Sequence, residues 1–113
     1  NSQICISGFS QGCMMSLNVG LTSEESFNSV IGFSGKIISK DDILLRMKSK
    51  PKIMLIHGDL DEVVSPNYLL DAKDFLIRNK FNIQTLMIEN CGHHIPIKGS
   101  SAALNFIKKN LET

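Results

Sequence analysis

Gly8-Phe9-Ser10-Gln11-Gly12 lies between an apolar, strand-like run at residues 3–7 and a helix-like run that begins at Cys13. This G-x-S-x-G pattern between a strand and a helix is the sequence form of a nucleophile elbow. The sharp turn puts the serine into a strained backbone conformation that small flanking residues accommodate. The helix is expected to point its N-terminal N–H groups, that of Gln11 among them, at Ser10, where an oxyanion would develop during acyl transfer. The alternative interpretation is a plain Gly-Ser turn between two elements.

A serine nucleophile needs a histidine to accept its proton and a carboxylate to orient that histidine, and one recurring chain order is serine, acid, histidine. The chain has acid candidates, Asp59 and Asp61, directly after its third strand-like run. It has base candidates, His93 and His94, after the fourth, where Gly92 gives the loop freedom to turn an imidazole inward. Every candidate therefore follows the carboxyl end of a predicted strand, which is where open α/β sheets build their sites.

The remaining histidine and the cysteine beside the base candidates are not expected to carry chemistry. His57 precedes the acid candidates, and we interpret it as a buried histidine whose ring bonds local backbone, because its position does not match the serine, acid, histidine order. Cys91, His93 and His94 form a candidate metal cluster. Three donors in one loop, without a second cluster of ligands, lack the spacing of a zinc site, so no metal is predicted.

These motifs resemble those of the phospholipase and carboxylesterase family of α/β-hydrolases, which includes the acyl-protein thioesterases. GFSQG is a common form of the elbow there, and HGDLDEVVSP resembles the H-G-x-x-D-x-x-V-P acid loop of that family. The Gly-His pair followed by Ile resembles its histidine loop. The resemblance covers nearly the whole chain, and it implies Ser10 as nucleophile, Asp61 as acid and His93 as base. Ser65 before Pro66 departs from the pattern, but serine as N-cap and proline as first residue make a good helix start.

The resemblance implies a serine esterase or thioesterase that transfers an acyl group to water without a cofactor. The expected substrate is a small-molecule ester or an acyl thioester. It also implies that residues 1–113 form a single domain equivalent to the C-terminal half of the fold. In the family a second oxyanion donor comes from a loop before the elbow, so the chain is expected to lack that donor, and losing one oxyanion donor costs about 10²–10³ in rate. The alternative expectation is a catalytically silent remnant that acts as an oligomeric or partner-binding module.

Composition limits the classes of partner. With 113 residues, 42% apolar and 20% charged, the chain is expected to be one soluble globular unit. Its twelve basic and eleven acidic residues include no basic cluster longer than Lys108-Lys109, which argues against binding nucleic acid or an anionic membrane. No membrane-length apolar run or leader is present, so we expect no stable membrane insertion and a cytoplasmic location. Three scattered cysteines indicate reduced thiols rather than a disulfide framework.

Strand-like and helix-like segments alternate along the chain, which predicts a partial α/β-hydrolase fold. Its core is one parallel sheet of about four strands with flanking helices. A short helix is expected to start at Asp41-Asp42. The other predicted segments are strands at about 2–7, 29–33, 51–56 and 83–88, and helices at about 11–21, 66–80 and 100–111.

In the family that the chain resembles, the strand before the nucleophile lies in the middle of the sheet. The resemblance therefore implies that the first predicted strand, at about residues 2–7, is an edge strand here. It has apolar side chains on both faces, and it carries no lysine or proline to discourage another strand from pairing with it. We therefore expect a homo-oligomer, most simply a two-fold dimer joined near this strand or across the exposed sheet face. Association with a chain that supplies the missing N-terminal half is the alternative.

Overall fold

The computed structural model describes residues 4–24 and 27–111, in which strands and helices alternate as predicted. The four strands form one parallel sheet in the order β1-β2-β3-β4, which confirms the predicted parallel sheet of about four strands. None of the helices in these two ranges has the length and apolarity needed to cross a membrane. The elements are β1 (Cys5–Phe9), α1 (Gln11–Thr22), β2 (Ser29–Phe33), α2 (Lys40–Arg46), β3 (Lys52–Gly58), α3 (Asn67–Arg78), β4 (Ile83–Ile88) and α4 (Ile97–Leu111).

The first strand differs from its prediction at both ends. Residues 2 and 3, with which the predicted strand begins, lie outside the described residues. At the other end β1 continues to Phe9, which pairs with Phe33 of β2. The turn therefore starts at Ser10, directly after the strand, with no spacer between the sheet and the serine.

The middle of the sheet is buried on both faces. All five residues of β2 are buried, which explains why this strand is a continuous run without polar alternation. Val30 belongs to a cluster with residues of α1, α2 and α3, whereas Ile31, its neighbour, packs with Phe106 of α4. Successive side chains point to opposite faces of a strand, so one helix covers one face and three cover the other.

Parallel register aligns the carboxyl ends of the strands. Phe33 pairs with Phe9 on one side and with Ile56 on the other. Gly58, at the end of β3, pairs with Ile88, at the end of β4. The segments that follow β1, β3 and β4 therefore all start at the same edge of the sheet.

Helix α3 begins one residue later than predicted, at Asn67. Pro66 rather than Ser65 therefore occupies the N-cap position, although the Ser65 hydroxyl oxygen accepts a hydrogen bond from the Asn67 N–H at 3.2 Å. Pro66 has a φ of −58°, which suits the start of a helix. The serine inserted before the proline is thus accommodated by local hydrogen bonding.

Candidate active site

Ser10 occupies the strained turn between β1 and α1. Its φ of 57° and ψ of −114° lie outside the regions that L-residues ordinarily adopt. Two backbone hydrogen bonds hold it there. The Ser10 N–H donates to the Phe33 carbonyl at 2.8 Å, and the Ser10 carbonyl accepts from the Met14 N–H at 3.2 Å. The turn is therefore tied to β2 on one side and to the first turn of α1 on the other.

The two glycines beside Ser10 are not equivalent, which corrects the expectation that the turn needs small residues on both sides. A Cβ added at Gly8 would lie 2.1 Å from the carbonyl oxygen of Gly12, which is a backbone clash. A Cβ added at Gly12 would meet no heavy atom within 4 Å. Of the two glycines, Gly8 is therefore the one that a larger residue cannot replace without a clash.

We expect Gly8→Ala to destabilise the chain and Gly12→Ala to leave it as stable or make it more stable. The added methyl at position 8 must push backbone aside, which costs about 1–3 kcal/mol. At position 12, inside α1, alanine is the better helix former by up to about 1 kcal/mol. Urea unfolding of the two variants measures both effects, and equal stabilities would contradict the assignment of the constraint to Gly8.

His93 lies between Ser10 and Asp61. Its Nε2 is 3.0 Å from the Ser10 hydroxyl oxygen, and its Nδ1 is 2.7 Å from Oδ2 of Asp61. Both hydrogen bonds form together when Nδ1 carries the proton and donates it to the carboxylate, which leaves Nε2 to accept from the serine. This is the arrangement in which an imidazole can take up a proton from a hydroxyl group.

Asp61 is held as a buried carboxylate. Its side chain is fully enclosed, and Oδ1 accepts hydrogen bonds from the N–H groups of Val63 at 2.9 Å and Val64 at 2.8 Å. Burial by itself raises the pKa of Asp61, but the hydrogen bonds from Val64, His93 and Val63 outweigh it and hold the pKa below its ordinary value. The carboxylate therefore stays ionised at neutral pH.

The loops after β3 and β4 approach each other closely enough to bring Asp61 to His93. A Cβ at Gly58 would lie 2.2 Å from the Cys91 carbonyl oxygen, and the Leu60 N–H donates to that oxygen at 2.9 Å. The close backbone approach explains the glycine at the end of β3.

The expected role of Gly92 is wrong for the chain as the structure describes it. Gly92 has no positive φ, and a Cβ added there would meet nothing within 4 Å. Asn90, two residues earlier, makes the left-handed turn of this loop, with a φ of 55°. Asparagine tolerates that conformation better than most residues.

The alternative acid and base candidates face elsewhere. Asp59 is exposed, and its Oδ1 lies 3.5 Å from the Cys91 backbone nitrogen. His94 has its Nε2 3.8 Å from the Cys91 thiol, whose pKa is raised by burial and by the charges of Asp59 and Asp61. Within residues 4–24 and 27–111, no group of three or more His, Cys, Asp or Glu side chains is arranged to hold a metal ion.

His57 has the structural position expected for it. It is buried, and its Nε2 donates to the Val64 carbonyl at 2.8 Å. The same nitrogen lies 3.5 Å from Oδ2 of Asp61. His57 therefore closes the loop that carries the carboxylate.

Gln11 is the first residue of α1. The first N–H groups of a helix have no partner within it, and the Met14 N–H is bonded to the Ser10 carbonyl. The positive end of the α1 dipole therefore lies beside the serine.

Open clefts on both sides of the serine turn are lined by residues of the turn and its neighbours. One, of about 370 Å³, is lined by Phe9, His93, His94 and Ile95. In this cleft the ring of Phe9 contacts His93, which was not predicted. The position of Phe9 directly before Ser10 is the feature of the sequence that could have indicated this contact. The other cleft, of about 640 Å³, runs along α1 and is lined by Gln11, Gly12, Met14, Met15, Asn18, Val19 and Ile38.

Comparison with known proteins identifies the family of the chain. The sequence model of the phospholipase/carboxylesterase family matches residues 1–111. The chain is 31% identical over 116 residues to acyl-protein thioesterase 1 of Yarrowia lipolytica, an alignment that covers 98% of this chain and 51% of that protein. It is also 34% identical over 89 residues to acyl-protein thioesterase 1 of Schizosaccharomyces pombe, covering 76% of this chain and 39% of that protein.

The structural comparison agrees. The crystal structure of esterase PE8 superposes with a TM-score of 0.90 at 36% identity, covering 95% of this chain and 50% of that one. SOBER1 of Arabidopsis thaliana shares the fold with a TM-score of 0.91 at 23% identity, covering 98% of this chain and 55% of that one. This chain spans about half the length of the relatives it matches. It belongs to the phospholipase/carboxylesterase family of α/β-hydrolases.

Proposed function

We propose that Ser10, His93 and Asp61 are the catalytic triad of a carboxylic ester or thioester hydrolase. The observation that carries the proposal is the single imidazole in hydrogen-bond contact with both the strained serine and the buried carboxylate. Membership of a carboxylesterase family supports the same reaction class. The names of the matched relatives favour acyl thioesters among its substrates.

The reaction follows from the protonation states of the three side chains. The Ser10 oxygen attacks the acyl carbonyl while its proton passes to Nε2 of His93. The oxyanion of the tetrahedral intermediate binds at the N-terminus of α1, with the Gln11 N–H as one donor. His93 returns the proton to the leaving oxygen or sulfur, and Asp61 stabilises the imidazolium that forms in between. Water then releases the acyl group by the same route, so the cycle needs no cofactor.

A fluorophosphonate probe tests this proposal, because it phosphonylates a serine that an adjacent base activates. We expect the probe to attach covalently to Ser10, located by peptide mapping, and Ser10→Ala to abolish labelling. Ser7→Ala, which changes an exposed serine of β1, is the matched control and keeps its label. Circular dichroism verifies that each variant is folded. A folded chain that is never labelled at Ser10 would overturn the proposal and favour the silent, partner-binding module.

A second candidate function, association, is favoured by the surface around α1 and β1. In the sheet of the described residues, β1 pairs with β2 alone, so its other edge is open. Beside it lies the apolar cleft along α1, where Met15 is 68% exposed. We propose that a second copy of the chain covers this surface, because an open strand edge can pair with its own equivalent.

Size-exclusion chromatography with light scattering tests the association. We expect a particle larger than the 12.5 kDa monomer at micromolar concentration. Met15→Lys places a charge in the cleft and is expected to shift the particle towards the monomer. Leu45→Lys, at an 86% exposed position on α2, is the control and leaves the association unchanged. A monomeric unmutated chain contradicts the proposal.

A further inference from the structure

The ring of Phe9 packs against the ring of His93. Their centroids are 4.8 Å apart, and the ring planes are inclined by 41°. This separation is within the range in which aromatic rings attract each other. Phe9 is itself 37% exposed, so its ring lies at the surface of the cleft beside His93 rather than in the core.

Hydrogen bonds alone restrain His93 in only some directions. The bonds to Asp61 and to Ser10 are both made at ring nitrogens, Nδ1 and Nε2. The N–H bond and the lone pair of an imidazole lie in the plane of the ring. Such bonds fix the direction of the ring nitrogens but resist tilting of the ring less well. The His93 side chain is 18% exposed, so solvent reaches it on the cleft side. A second ring packed against the imidazole supplies the missing restraint.

The position of Phe9 in the chain links this restraint to the nucleophile. Phe9 directly precedes Ser10, and its backbone is fixed by pairing with Phe33 in the sheet. The next N–H, that of Ser10, is bonded to the carbonyl of the same Phe33. One short piece of rigid backbone therefore places both the serine hydroxyl and the ring that restrains the histidine.

We propose that Phe9 is a positioning residue for His93. Its ring holds the imidazole in the orientation in which Nε2 faces the Ser10 oxygen and Nδ1 faces Asp61. Its π-electrons also attract the imidazolium that exists after His93 has accepted the serine proton. Phe9 exchanges no proton, since the proton moves from Ser10 to His93 and then to the leaving group. The inference rests on the proposed hydrolase function, but the contact itself can be tested without turnover.

Nuclear magnetic resonance measures the contact directly. A phenyl ring 4.8 Å from the imidazole shifts the resonances of the His93 ring protons. We expect Phe9→Leu, which keeps an apolar side chain, to remove this shift and to broaden or split the resonances as the imidazole samples more orientations. Phe9→Tyr retains the ring and the shift. His93 resonances that are the same in Phe9→Leu as in the unmutated chain would overturn the inference.

Kinetics on an ester substrate separate positioning from substrate binding. We expect Phe9→Leu to lower kcat about 10- to 100-fold with little change in KM, because misplacing a catalytic group affects the chemical step. Phe9→Tyr, which keeps the ring, is expected to keep kcat. Tyr68→Leu removes a similarly exposed ring on α3 and is expected to leave kcat unchanged. An effect of Phe9→Leu on KM alone would make Phe9 a wall of the cleft and overturn the inference. If labelling and turnover at Ser10 are absent, the proposed function fails, and the resonance measurement still decides whether Phe9 orients His93.

Discussion

Replacing His93 with glutamine is expected to reduce hydrolysis of p-nitrophenyl acetate to the background rate. The amide cannot take up a proton from the Ser10 hydroxyl, which lies 3.0 Å from the imidazole Nε2. In triads of this kind, losing the histidine alone costs about 10⁶ in kcat, nearly as much as losing all three members. The measurement is the initial rate of nitrophenolate release over that of buffer.

His94 provides the matched control, because the two histidines are neighbours in one loop. Its Nε2 lies near the Cys91 thiol rather than near the serine. We therefore expect His94→Gln to retain most of the activity. Equal losses in the two variants, or a larger loss in His94→Gln, would contradict the assignment of His93 as the base.

Replacing Asp61 with asparagine is expected to lower kcat about 10⁴-fold, the size of the effect in known Ser-His-Asp triads. The amide nitrogen would face Nδ1 of His93, which now donates to the carboxylate at 2.7 Å. To avoid two opposed donors, the imidazole must move its proton to Nε2, where it can no longer accept from Ser10. Asp59→Asn is the control, because Asp59 is exposed and contacts the Cys91 backbone. A comparable loss in Asp59→Asn would contradict the assignment.

The same substitution has a pH-dependent effect on stability. Because the pKa of Asp61 in the folded chain is below its ordinary value of 3.8, ionised Asp61 stabilises the folded state above that pH. This contribution is lost as the pH falls below the ordinary value and through the folded one. Urea unfolding is therefore expected to show Asp61→Asn less stable than the unmutated chain at pH 7, with a smaller difference near pH 3. A difference that grows on acidification would contradict this.

Local sequence patterns predicted the elements best where one interaction dominates. β2 was predicted with the correct bounds because all of its residues are buried, and the four that follow Ser29 form a run without a polar side chain. α4 was predicted to start near residue 100 but begins at Ile97. Its first turn contains Gly99, a poor helix former, and a Cβ there would lie 3.1 Å from the side chain of Ile88. Local propensity therefore did not predict where this helix begins.

Local sequence also could not choose between neighbouring candidates for the acid and for the base. Spacing alone left Asp59 and Asp61 open, as it did His93 and His94, and the family resemblance selected Asp61 and His93. The two members of each pair are so close in sequence that only the path of the loop decides which side chain faces inward. That path depends on long-range contacts, such as the hydrogen bond from the Leu60 N–H to the Cys91 carbonyl.

The sequence by itself determined the parallel α/β sheet, the strained serine turn and the family, because these depend on periodicity and on motifs a few residues long. Only the tertiary structure decided that Gly8 rather than Gly12 is sterically required, and that Phe9 packs on His93. It also decided that two backbone N–H groups and the His93 imidazole hold Asp61 ionised. These features depend on atoms from separate strands meeting at distances of a few ångströms, and no local pattern encodes such distances.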